Sequence, residues 1–203
     1  RGMERLSNED VRKELEKLMK YVERVERKGD LSVFGIVYPR VNGDDLIGLG
    51  VYNGKIYEGS NKYELVTTRF DDVAKEVKER LLKDRIVVVR GPKGVGKSTL
   101  ARYVISQLLQ SGEFTWAVRV ESIINPADFN VQDDRVLFFY DFYPYEMYTP
   151  LAPEGRGLDI EKLGYIIANL KKLAKTFDNA YAVLVIPDDV LKTEYEDSRT
   201  SKK

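Results

Sequence analysis

The chain has 203 residues, with 33 Lys and Arg balanced by 33 Asp and Glu, and it has no Cys and no His. Without Cys there is no disulfide framework, thiolate nucleophile or thiolate metal site, and without His the commonest general base and metal ligand are missing. Any catalysis must run on carboxylates, Lys, Arg, hydroxyls, backbone amides or a hard cation, and zero net charge gives no general pull toward nucleic acid.

The longest apolar runs, such as Val136 to Tyr140 and Ala182 to Ile186, are far short of the ~20 residues a membrane-spanning helix needs. The charged N-terminus has no apolar signal region, so a cytoplasmic location is expected. Ser7 to Lys28 reads as a helix. Ser7 caps it, with Asp10 completing part of a capping box, and Gly29 is placed to end it. Val11, Leu15, Leu18, Val22 and Val25 follow a 4-3-4-3 spacing. That stripe suits either packing on the helix's own domain or a seam with a second copy or a partner protein. Val33 to Tyr38 reads as a strand stopped by Pro39. Leu46 to Tyr52, Asn53-Gly54 and Lys55 to Glu58 form a hairpin signal.

From Phe70 onward, helix and strand alternate. Phe70, Val73, Ala74, Val77 and Leu81 lie on one helical face. Ile86 to Val89 is apolar on both faces, as expected of a buried parallel strand. A helix over Ser98 to Gln110 ends at Gly112, and strands follow at Phe114 to Val120 and Val136 to Tyr140. A long helix spans Ile160 to Phe177, followed by a strand at Tyr181 to Ile186. This alternation predicts an α/β fold, with a mainly parallel sheet flanked by helices and ligands at the carboxyl ends of its strands. The expected organisation is an N-terminal helix and β-rich region over 1–66, a nucleotide-binding domain over 67–191 and a polar, disordered tail over 192–203.

Gly91-Pro92-Lys93-Gly94-Val95-Gly96-Lys97-Ser98 matches the pattern G-x-x-x-x-G-K-[ST], between a strand and a helix as the chemistry requires. Glycines let successive N–H groups turn inward around phosphate oxygens, and the helix adds the positive end of its dipole. Residues Gly91 to Ser98 are therefore candidate nucleotide ligands. Lys97 would meet the β- and γ-phosphates and share in catalysis, Ser98 would ligate magnesium, and Thr99 would contact the α-phosphate. A second element should be an acid at the end of a buried strand. Asp141, the first charge after Val136 to Tyr140, is the candidate for holding magnesium and for catalysis. It would also suit a cap on the following turn.

Phe70 to Leu191 resembles the nucleotide-binding core of STAND-class P-loop ATPases, closest to a novel-STAND group. The likeness rests on Val66-Thr67-Thr68-Arg69-Phe70, on Gly91 to Arg102, on Leu137 to Tyr143 and on Val183 to Val190. The resemblance implies ATP and Mg²⁺ as cofactors. It places an adenine pocket near Thr68, Arg69 and Phe70, and an arginine finger from a neighbouring subunit, for which Arg119, Arg135 and Arg156 are candidates. The chain departs from the pattern in two places. Phe142 follows Asp141 where many such ATPases carry a catalytic Glu, so Asp141 stands either at the metal position or at the catalytic one, with Tyr140 then replacing the metal acid. Ile186-Pro187 replaces the sensor Thr and Arg. The winged-helix and effector regions of such proteins do not fit after Leu191, which suggests a fragment or a reduced relative.

Three readings follow. The first is an ATP-binding domain with slow magnesium-dependent hydrolysis, acting as a conformational switch. The second is a nucleotide-binding module without significant hydrolysis. The third, a DNA-handling ATPase, is disfavoured by the balanced charge. The absence of an N-K-x-D motif favours ATP over GTP. Asp188-Asp189 reads as a helix cap, and the Tyr-rich stretch from Tyr140 to Tyr148 lacks the basic cluster a nucleic-acid groove needs.

Overall fold

The computed structural model describes residues 7–39, 49–52, 55–58, 60–65, 70–92, 94–121, 123–129, 134–141 and 160–188. Helix α1, Asn8–Ser32, starts on a complete capping box: the Asp10 N–H donates to Ser7 Oγ, and the Ser7 N–H donates to Asp10 Oδ2, both at 3.1 Å. Contrary to expectation, Gly29 does not end it. The helix continues to Ser32 because Leu31 is completely buried in the core, and the Ser32 hydroxyl donates to the Gly29 carbonyl at 2.7 Å. Burying a leucine contributes about 1.5–3 kcal/mol, more than the roughly 1 kcal/mol that a helical glycine costs.

Strand β1, Gly35–Pro39, runs antiparallel to β6, Trp116–Val120, with Gly35 opposite Val120 and Pro39 opposite Trp116. Proline fits here because the strand lies on an edge, where an N–H is not required. Strand β6 pairs in parallel with β7, Val136–Asp141. Next comes β8, Ala180–Pro187, and then β5, Ile86–Gly91, both parallel. The order of this five-stranded sheet is β1-β6-β7-β8-β5. The alternation that predicts a mainly parallel, helix-flanked sheet is therefore seen in the structure.

Strand β5 differs from the prediction. It is the outermost parallel strand, and its burial alternates, with Val87 and Val89 buried and Val88 39% exposed. Its second face is apolar in sequence, but among the described residues no strand lies beyond it. A separate antiparallel sheet comprises β2, Val51–Tyr52, β3, Lys55–Glu58, and β4, Asn61–Glu64. Tyr52 faces Lys55 across the hairpin, whose turn at 53–54 lies outside the described residues. The pairing of β4 with β3 carries no strong signal in its polar sequence.

Helices cover both faces of the main sheet. Helix α2, Asp71–Asp84, and helix α3, Lys97–Ser111, pack with Leu49 and Val51 against one face, on Val87, Val89, Ala117, Leu137, Phe139, Val183 and Val185. Helix α4, Ile160–Thr176, packs on the other through Leu163, Ile166, Leu170 and Leu173, joined by Leu31 and Phe34 at the foot of α1. Because side chains alternate along β7, Phe138 and Tyr140 belong to the α4 face, and Leu137 and Phe139 to the α3 face.

Candidate functional site

The carboxyl ends of β5, β7 and β8 meet on one edge of the sheet. Gly91 lies opposite Pro187 and Asp141 opposite Val185, so one strand separates the glycine-rich loop from the acid. After Gly91 the chain passes through Gly94 (φ +83°) and Gly96 (φ +92°), both in the left-handed region that a Cβ disfavours, and enters α3. A Cβ on Gly96 would also approach the Phe70 ring to 3.2 Å, and one on Gly91 would lie 3.3 Å from Val95. These glycines serve both the turn and the close approach.

Helix α3 begins at Gly96, which has no side chain to cap it, and its first turn contains no acid. The leading N–H groups and the dipole's positive end are therefore offered outward, which is the arrangement that suits an anion. Lys97 curls back along the loop and donates from Nζ to the Pro92 carbonyl at 2.5 Å. Ser98, Thr99, Lys97 and Gly96 are half-buried, and Gly94 and Val95 are exposed. Lys93 lies outside the described residues.

Asp141 is 6% exposed and, among the described residues, is the only buried carboxylate. Ser98 Oγ donates to its Oδ1 at 2.8 Å, and Arg102 Nη2 stands 3.5 Å from its Oδ2. Ser98 and Arg102 are four residues apart, so they share one face of α3 and both reach the same carboxylate. Tyr140 points to the opposite face of the sheet into the α4 core. The geometry therefore brings Asp141, not Tyr140, to the loop. The turn after Asp141, which this carboxylate would also suit as a cap, lies outside the described residues.

The donor set can be tested against a divalent cation. A serine hydroxyl and one carboxylate are hard oxygen donors. Mg²⁺ is characteristically held by one or two carboxylates together with phosphate oxygens and water. Among the described residues no cluster of three acidic side chains forms a cage able to hold a metal alone. Ser98 and Asp141 thus fit a cation that arrives with a phosphate ligand.

Phe70, the residue before α2, lies against the loop at Gly96, and the Tyr103 hydroxyl donates to Asp71 at 3.1 Å, tying α2 to α3 beside it. Residues 66–69, which include Thr68 and Arg69, lie outside the described set, as do 142–159 with Phe142, Arg156 and most of the Tyr-rich stretch, and 189–203 with Asp189 and the tail. Arg135 pairs with Glu113 at 3.3 Å, away from the loop, and Arg119 lies in β6, two strands from the one bearing the loop's partner Pro187. Asp188 pairs with Arg90 at 3.6 Å. The Arg102 contact with Asp141 is a site feature that motif reading does not reach. Its only sequence signal is the i, i+4 spacing from Ser98.

Residues 70–149 match the family model described as Novel STAND NTPase 3. The match takes in the loop, α3, β6 and Asp141, and supports a STAND-type NTPase family for this part of the chain. No curated protein and no solved structure matches the chain. Among the described residues no helix is long and apolar enough to cross a membrane.

Proposed function

We infer that this chain is an ATP-binding P-loop domain that hydrolyses the nucleotide slowly with Mg²⁺ and works as a conformational switch. The observation that carries this reading is the 2.8 Å hydrogen bond from Ser98, on the first turn of α3, to the buried Asp141 at the end of β7. It joins the two elements that a phosphate-bound cation would need. The loop amides and the uncapped start of α3 would bind the phosphates. Lys97 would exchange its Pro92 carbonyl for phosphate oxygens, and Ser98 and Asp141 would hold the cation. When bound, Mg²⁺ would neutralise charge developing on the phosphate oxygens. The Phe70 ring, beside Gly96, would contact the base.

The switch reading draws on Arg102. The same guanidinium lies beside Asp141 and, through Nη1, 3.3 Å from the position a Gly50 Cβ would take, just before β2. A change of partner at Asp141 would therefore be felt at the small sheet.

A second reading, nucleotide binding without turnover, is favoured by one observation. Asp141 is the only buried carboxylate among the described residues, and the residue after it in sequence is Phe142, not an acid. Phosphate release from ATP by the intact chain and by Lys97→Ala distinguishes the two. Release by the wild type that falls at least about 100-fold in the variant supports hydrolysis, since loss of one charge aimed at the transferring group costs a few kcal/mol. Equal release from both proteins defeats it.

A further inference from the structure

Helix α1 carries a seam with no partner among the described residues. Val11, Leu15, Leu18, Val22 and Val25 are 43% to 57% exposed, and the helix makes its buried contact with the domain only at Leu31. Exposed ion pairs tie the flanks of the seam to the outer face, Arg12 with Glu16 and Glu14 with Lys17, and Lys13 pairs with Glu9 behind them; they help the single helix stay helical, and Arg12 and Glu14 would exchange these partners for those of a second helix. Twenty-five residues make a rod about 37 Å long. A seven-residue apolar repeat on such a rod is buried by a second helix bearing the same repeat.

We propose that α1 is a homodimerisation helix that pairs antiparallel with α1 of a second copy of this chain. Charge selects both the occupant and the direction. In a parallel pair, the residues flanking the seam place Glu14 opposite the partner's Met19 and Tyr21 opposite the partner's Glu26, so no opposite charges meet. In the antiparallel pair, Leu15 meets the partner's Val25 and Leu18 meets the partner's Val22. The flanks then set Arg12 against the partner's Glu26 and Glu14 against the partner's Lys28, each pair occurring twice across the dyad. Met19 and Tyr21, 63% and 64% exposed in the single chain, each meet their own copy. Val11 faces the partner's Gly29, and a Cβ built on Gly29 meets no atom within 4 Å, so there is open space for that side chain. The flanking pairs are exposed and set direction more than strength, and the apolar seam supplies the affinity.

The test uses the intact chain at micromolar concentration. Sedimentation equilibrium should give twice the 23.3 kDa chain mass. Leu18→Asp should weaken the dimer by about tenfold or more, because a leucine leaves the seam and a charge enters it, while the thermal unfolding of the domain stays near wild type. Glu14→Lys alone should weaken the dimer, and Glu14→Lys with Lys28→Glu should restore it. The chain has no cysteine of its own, so a Leu15→Cys/Val25→Cys double variant should cross-link on oxidation, and Leu15→Cys alone should not. A monomer at every concentration overturns the proposal. So does cross-linking through Leu15→Cys alone, which marks a parallel pair, a double charge reversal that fails to restore the dimer, or an α1 that associates only with a different protein.

Discussion

Helices α1 and α3 each begin at a residue outside helical geometry, Ser7 at φ −67°, ψ 157° and Gly96 at φ 92°, ψ 22°, but they begin for different ends. The start of α1 is closed by its own side chains: Ser7 and Asp10 satisfy each other's N–H groups, and Glu9 and Asp10 answer the dipole. The start of α3 has no capping side chain and no acid, and it faces a loop of left-handed glycines. Behind that open start, Leu100, Ala101, Val104, Ile105, Leu108 and Leu109 are all buried, whereas α1 buries only Leu31. A helix anchored by its packing can leave its first turn to a ligand. A helix with little packing must complete its first turn itself.

The difference in anchoring between the two helices should show most strongly in the core. Leu109→Ala should lower unfolding stability by about 2–5 kcal/mol, while Lys20→Ala on the exposed face of α1 should change it by less than about 0.5. Equal shifts in the urea midpoint would contradict the difference in anchoring. Asp141→Asn should cost about 1–3 kcal/mol in denaturant titration, because the quarter-exposed Arg102 loses its counter-charge. The same substitution should remove any magnesium dependence of nucleotide binding.

The two glycines should respond in opposite directions. Gly96→Ala forces a Cβ into the left-handed region and against Phe70, at a cost of roughly 1–2 kcal/mol. Gly29→Ala, in an ordinary helical position with open space, should instead stabilise α1 by up to about 1 kcal/mol, read as added helical circular dichroism. At the cap the effect stays local. Ser7→Ala should cost about 1 kcal/mol of local helix stability and leave the global midpoint in place. Ser7's hydrogen bonds hold the Asp10 carboxyl below its ordinary value of 3.8. That support is therefore complete above pH 3.8 and is lost as pH falls through the depressed value. Wild type should lose helical signal there, and Ser7→Ala should lack that step.

Much of the site is legible in local sequence because its causes are local. The glycine spacing of Gly91 to Ser98 dictates the loop, and the period-two alternation of β7 separates Tyr140 from Asp141 once the loop's face of the sheet is known. Ser98 and Arg102 share a helical face by spacing alone, but which acid they reach depends on the pairing of β7 with β8 and β8 with β5, a long-range matter. The same limit explains β5. Four consecutive aliphatic residues, three of them Val, read as buried on both faces, and no local feature reveals that the strand is outermost. Strand β1 is similar, since its place depends on Gly35 meeting Val120 across most of the domain. At Gly29 a local stop signal is overridden by burial of Leu31 two residues later.

The open start of α3 should receive the phosphates of a nucleotide. Calorimetric titration of the intact chain with a non-hydrolysable ATP analogue and Mg²⁺, beside Lys97→Ala, measures this binding. The wild type should bind saturably near one per chain, and the variant about tenfold or more weaker, as expected for losing a charge-assisted contact. No binding by the wild type, or equal binding by both proteins, would contradict it.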